Sequence, residues 1–393
     1  MPDIPWEENM KKLLTTITVA SLAFVGAANA QTQGVSDTEV LVGSVNDLSG
    51  VFAAVGVPAT AGANMYFDEV NAAGGVHGRT IRFIVEDNGY QVPRAMQGYN
   101  KLLNKDRVFA MLLSLGTPMN EAGFKLLDPK GIPNVGPLSA AQSMLQDPIG
   151  NKFTGFSSYY DQVQAGVEYL VGEFGGAEVC SMYIPSGFGN EIAGSTRDAA
   201  DTLGIAFAGE TTHKPDELDF VGSLTKLKAD GCDVITIGLG VRQAITVVGT
   251  AKKLGWTDVK FLSTSANFLG VVAAVPGGVT DGLYAASGWV DLASRAEDEA
   301  PAAFIAAYAA KYDKPAGGFA MLGYQAAETF VKALEAAGPD LTQESFIAGM
   351  ETLNYFDPIA DAQITYGPND HRGVDDIVIS VVEDGFWKVI TRK

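Results

Sequence analysis

Residues 42–58 read VGSVNDLSGVFAAVGVP: an apolar run, the polar stretch Asn46-Asp47-Leu48-Ser49-Gly50, and Pro58 at an expected helix start. A strand, a glycine-bearing loop and a helix N-terminus in that order present backbone N–H groups to an anion. Phosphate does not fit. A phosphate-cradling loop needs GxxxxGK[ST], whose Lys reaches the terminal phosphates, and no Lys lies between Lys12 and Lys101. A smaller anion, held by amides and the Ser49 hydroxyl, fits better. Further along, Gly238-Leu239-Gly240-Val241-Arg242-Gln243 imitates a dinucleotide loop, but Gln243 replaces the third Gly and Lys260 stands where an acid is needed. No cofactor is therefore expected. Arg242 opens the next helix and is placed to grip a second carboxylate, to bridge two lobes, or simply to be solvated.

Catalytic and metal-ligating patterns are missing from the sequence. His77 sits in a turn, His213 in a loop and His371 beside the C-terminal strands. There is no GxSxG elbow, HExxH or CxxC. An enzyme and a metal site are not expected.

The elements that must position these loops alternate. Helix 59–73, strand 80–86 (TIRFIVE), a helix from Pro93, strand 109–113 (FAMLL), helix 120–127 and strand 132–135 follow the opening strand. The rhythm restarts near Tyr160, with strands 178–184 (EVCSMYI), 205–209, 233–237 and 260–262 separated by helices, then a strand at 282–288. This is the pattern of an α/β protein with two doubly wound parallel-sheet lobes. The polar, small-residue loops all follow strands, where open α/β sheets bind ligands. Aromatic residues crowd the same loops: Phe52, Tyr90, Phe156, Tyr159, Phe188, Phe268 and Trp289. Core packing claims some of them; Phe52, Tyr90, Phe188 and Phe268 are expected to line the cleft around an apolar or aromatic ligand body.

Bulk properties set the context. The chain has 393 residues, 47% hydrophobic and 19% charged, with a formal net charge of −19. That charge excludes a nucleic-acid partner, whose phosphates require basic patches. Met10 to Ala30, MKKLLTTITVASLAFVGAANA, has the lysines, apolar stretch and small-residue end of a secretory signal peptide. Residues 1–9 precede it as an extension. The mature protein is expected to be exported, not membrane-spanning, and to begin at Gln31. Its two cysteines, Cys180 and Cys232, either bond or pack as buried thiols. They lie on strands that a doubly wound lobe makes neighbours, which favours a disulfide.

Several segments in order carry a family resemblance. Ser49-Gly50-x-x-Ala53-x-x-Gly56, VNAAGGVHGRTIRFIVEDNGYQ (70–91), GFGNE (187–191), LKADGCDVITIG (227–238), KKLGW (252–256) and GPNDHRG (367–373) span the mature chain. The sequence resembles the periplasmic substrate-binding proteins of ABC importers, in the leucine/isoleucine/valine-binding branch. The resemblance implies a Venus-flytrap, type I periplasmic binding fold with three crossovers. Lobe 1 then covers 31–157 and 290–353, and lobe 2 covers 158–289 and 354–393. It implies a small-molecule ligand in the cleft and permease subunits in the inner membrane as partners. A ligand-sensing module feeding a membrane receptor uses the same fold.

In the family a ligand carboxylate is held by amides and hydroxyls of the first lobe. The matching positions are Gly116, Thr117, Leu138, Ser139 and Ala140. Amino-acid binders of the family often carry a tyrosine before Gly56, where this chain has Val55. They place a glutamate for the ammonium where this chain has Ser265. A desolvated ammonium without a carboxylate is costly. The expected ligand is therefore a branched-chain or other amino acid, or an aromatic or aliphatic acid.

Overall fold

A computed structural model describes residues 32–176 and 178–393, so the expected signal peptide at 10–30 lies outside the described residues. The first lobe is built on β1 (Glu39–Asn46), β2 (Thr80–Asp87), β3 (Ala110–Leu112), β4 (Asn134–Val135) and β5 (Lys152–Phe153). All pair in parallel, in the order β2-β1-β3-β4-β5. Their apolar runs are mostly buried, as strands covered on both faces must be. The connecting helices are α1 (Ala53–Ala72), α2 (Val92–Asn100) and α3 (Thr117–Leu127). Helix α1 starts before the expected position and keeps Pro58 inside it. The cause lies in the preceding loop, where the Asp47 carboxylate accepts the Phe52 amide at 2.8 Å and anchors the helix entrance early.

The second lobe carries β6 (Glu178–Tyr183), β7 (Ala206–Thr212), β8 (Val234–Gly238), β9 (Lys260–Thr264) and β10 (Leu283–Ser287). Between them run α4 (Tyr159–Phe174, entering β6), α5 (Gly187–Leu203), α6 (Val221–Ala229), α7 (Val241–Lys253) and the single turn α8 (Gly270–Ala273). Cys180 in β6 and Cys232, just before β8, form a disulfide with Cα atoms 5.8 Å apart. The bond is possible because β6 and β8 are direct neighbours.

After β10 the chain returns to the first lobe through α9 (Glu299–Tyr312), α10 (Gly318–Ala337) and α11 (Gln343–Met350). Small residues let α1 and α10 cross closely: a Cβ on Gly62 would meet Ala320 O, and one on Gly323 would meet Ala59 O, both at 1.9 Å. A hairpin, β11 (Asn354–Asp357) and β12 (Ala362–Thr365), follows. It corrects the expected lobe boundary at 353/354. Tyr355 Oη bonds Thr329 of α10 at 2.8 Å, and Tyr366 Oη donates to Thr154 O at 2.9 Å, so the hairpin packs on the first lobe. The last crossover therefore comes after Arg372, which bridges Thr154. Finally β13 (Val378–Glu383) and β14 (Phe386–Arg392) add antiparallel strands to give β14-β13-β10-β9-β8-β6-β7. Two α/β lobes joined by three crossovers result, with the second sheet mixed at its C-terminal edge.

Candidate functional site

The polar groups of the loop after β1 bond within the protein. Asp47 is fully buried, and its carboxylate accepts the Ser49, Gly50 and Phe52 amides. Asp87, at the end of β2, accepts the Leu48 and Gly89 amides at 3.0 Å each and the Ser49 hydroxyl at 2.6 Å. Partial burial raises the Asp87 pKa, but these hydrogen bonds and the Arg94 guanidinium outweigh it and hold it down at about 2. The donors that the sequence offered to a ligand are thus spent on two internal carboxylates. Ser49 is corrected from ligand contact to loop brace.

A small, partly open pocket of about 30 Å³ lies between the carboxyl ends of the two sheets. The loop after β1 contributes Phe52, and the loop after β2 contributes Tyr90. Leu115, Gly116 and Thr117 follow β3, and Leu138 and Ser139 follow β4. Phe156 and Tyr159 come from the first crossover, Phe188 from α5, Ser265 and Ala266 from beyond β9, and Trp289 from beyond β10; Val55 and Phe319 complete the lining. Eight of the expected residues meet here: Phe52, Tyr90, Gly116, Thr117, Leu138, Ser139, Phe188 and Ser265.

Arg242 and Phe268 do not. Helix α7 starts at Val241, so the buried Gln243 turns inward, its Oε1 accepting the Gly240 amide at 3.0 Å. Arg242, one residue earlier, faces an outer groove between the lobes that Ser49 also lines. Phe268 is buried behind the cavity wall, its ring 5.9 Å from Trp289 and 4.9 Å from Trp387. Trp289, Phe156 and Tyr159 take the places that loop position alone could not assign. Phe319 and Val55 carry no loop signal, since they lie within helices.

Most of the polar rim, Gly116, Thr117 and Ser139, belongs to the first lobe. Gly116 caps α3 with a positive φ of 101°, a conformation that suits glycine. Thr117 does not cap the helix with its hydroxyl. That oxygen lies 2.8 Å from Ser139 Oγ, both side chains being buried, and Ser139 Oγ also accepts the Ala141 amide at 3.3 Å. The first amides of α3 have no intrahelical acceptor and favour negative charge at that end. Helix dipole, amides and two hydroxyls can hold a carboxylate without a cation.

The walls are aromatic. Tyr90, at a positive φ of 56° with its backbone amide donating a hydrogen bond to Asn88 Oδ1, has its ring 4.5 Å from Phe52; Phe188 is 6.1 Å from Phe52 and 5.1 Å from Tyr159. Burial pushes both tyrosine hydroxyls well above their ordinary range, so they stay neutral. No charged side chain lines the cavity among the described residues. Gln162 fixes the Ser265 loop, accepting its amide at 2.9 Å while donating to Ser157 O at 2.7 Å.

The family model for periplasmic binding proteins matches residues 39–386. The chain belongs to that family. A relative from Pseudomonas aeruginosa, the "Leucine-, isoleucine-, valine-, threonine-, and alanine-binding protein", is 23% identical over 84% of this chain and 85% of its own length. Among solved structures, a branched-chain amino acid ABC transporter protein from Thermus thermophilus with bound valine superposes with a TM-score of 0.81. It is 20% identical and covers 91% of this chain and 96% of that one. A solute-binding protein from Rhodopseudomonas palustris BisB5, in complex with 3,4-dihydroxy benzoic acid, has a TM-score of 0.79 and 18% identity, covering 91% and 98%. The fold is the type I periplasmic binding fold, as the resemblance implied. Family membership implies a periplasmic location, and no helix among the described residues is long and apolar enough to cross a membrane.

Proposed function

We propose that this protein captures a small carboxylate with an aromatic or aliphatic body and delivers it to the permease subunits of an ABC importer. One observation carries the reading: the cavity has seven aromatic rings and a hydroxyl-and-amide rim, but no charged side chain. The rim suits a carboxylate; the rings suit a flat or branched apolar body. An α-ammonium would be desolvated there without a counter-charge, because Ser265 stands where an acid would be needed. The protein acts as a receptor that binds and releases its ligand unchanged.

The name of the Pseudomonas aeruginosa relative supports a second reading, a branched-chain amino acid. Melting curves separate the two, since a ligand at 100 times its dissociation constant stabilises the fold by about 2.7 kcal/mol. Benzoate and hydroxybenzoates are expected to raise the melting temperature, leucine and valine to leave it near the ligand-free value. A shift with leucine or valine and none with the aromatic acids would establish the second reading instead.

A further inference from the structure

Trp289 is 2% exposed and lines the ligand cavity, yet its indole N–H has no acceptor among the described residues. A buried donor without a partner loses its hydration and receives nothing in return, a cost that native structures rarely tolerate. The ring is well fixed by Phe156 at 5.2 Å, Phe319 at 5.8 Å and Phe268 at 5.9 Å. Space beside the N–H is left by a glycine, since a Cβ on Gly318 would stand only 3.2 Å from Nε1. Two more buried hydroxyls without partners among the described residues neighbour lining residues in sequence: Ser157, next to Phe156, and Thr264, next to Ser265.

These groups follow the crossover and the second-lobe strands, whereas Gly116, Thr117 and Ser139 follow strands of the first lobe. Thr117 and Ser139 of the first lobe and Trp289 from beyond β10 line the same aromatic-walled pocket. We infer that the ligand carries a second oxygen, away from its carboxylate, and that Trp289 Nε1 donates a hydrogen bond to it. The ligand class is a hydroxylated aromatic acid. This rests on the aromatic-acid reading proposed above and narrows it: an unsubstituted body leaves the indole N–H unpaired, and a hydroxyl at the far end of the ring satisfies it.

The test is titration calorimetry with benzoate, 3-hydroxybenzoate and 4-hydroxybenzoate on the full mature protein and on Trp289→Phe. The substitution keeps an aromatic ring and removes the N–H. The unsubstituted protein is expected to bind at least one hydroxybenzoate about tenfold more tightly than benzoate. Trp289→Phe is expected to erase that preference while changing benzoate affinity less than threefold. Equal losses for benzoate and hydroxybenzoate in the variant, or no preference in the unsubstituted protein, would overturn the assignment of Trp289 and leave the aromatic-acid reading standing. If no benzoate binds and leucine does, the aromatic-acid reading fails, and this inference fails with it. A crystal structure of the unsubstituted protein with the tighter hydroxybenzoate keeps the question decidable should the variant not fold. The ring hydroxyl within hydrogen-bond distance of Nε1 supports the inference; the hydroxyl placed elsewhere overturns it.

Discussion

Thr117 and Ser139 decide whether a carboxylate belongs in the first-lobe rim. Their hydroxyls are 2.8 Å apart and buried, so neither can be fully satisfied by its neighbour alone once a ligand oxygen arrives. Thr117→Ala and Ser139→Ala are each expected to weaken ligand binding about 10- to 150-fold, the roughly 1.5–3 kcal/mol typical of a hydrogen bond to a charged group. The double variant should lose less than the product, because the two share one network. Unchanged affinity in both single variants, read by calorimetry, would remove the carboxylate from these loops. These two residues were legible in the sequence because a hydroxyl after a strand and before a helix has few other roles. Ser49 looked equivalent and is not. Its partner Asp87 is a strand and a helix away in sequence, and nothing local announces that this acid collects the Ser49 hydroxyl and two amides. Phe268 and Trp289 show the same limit among the rings. Both follow strands, and only the packing against Trp387 puts Phe268 behind the wall.

Element order was readable because parallel strands buried on both faces leave nearly continuous apolar runs. Helix starts were less so: Pro58 marks a helix entrance by its chemistry, yet the Asp47 carboxylate moved the entrance upstream. The β11–β12 hairpin was assigned to the wrong lobe because its side depends on Tyr355 and Tyr366 contacts, not on its own pattern. Two predictions belong at this scale. Gly62→Ala or Gly323→Ala puts a methyl group against a helix carbonyl, so α1 and α10 must separate. Each should cost about 1–3 kcal/mol, the range for overpacking a tight contact, and lower the melting temperature in thermal denaturation. A variant as stable as the parent would mean the crossing yields freely. The second concerns the disulfide, whose cysteines are separated by 52 residues. Cys180→Ser/Cys232→Ser should lower the unfolding free energy by about 4 kcal/mol in the chain-entropy account. Urea unfolding of the double variant against the oxidised parent measures it, and a difference under 1 kcal/mol would contradict that account.

At the scale of the whole molecule, the lobes meet along a seam as well as around the cavity. Glu191, on α5 of the second lobe, accepts the Gln142 amide of the first lobe at 2.9 Å and the Tyr160 amide at 3.2 Å. Glu121 of α3 stands close by, since a Cβ on Gly187 would lie 2.7 Å from its Oε1. Burial above all, then the charges of Asp161 and Glu121, push the Glu191 pKa up to about 7, and the hydrogen bonds it accepts from the two backbone amides only partly oppose this. Opening the lobes would return Glu191 to water and its pKa to the ordinary carboxylate range near 4.5. The closed form then binds more protons between those two values. Its contribution to closure is fully present below the open-state pKa and is lost as pH rises through about 7. Ligand affinity is therefore expected to weaken between pH 5 and pH 8, with a slope of at most about tenfold per pH unit for the single proton on Glu191. Glu191→Gln keeps an acceptor for the Gln142 amide and removes the titration, so its affinity profile should be flatter. Calorimetric titration of parent and variant at pH 5.5, 6.5 and 8 with the same ligand reads the difference, and superimposable profiles would show that Glu191 does not couple protons to closure.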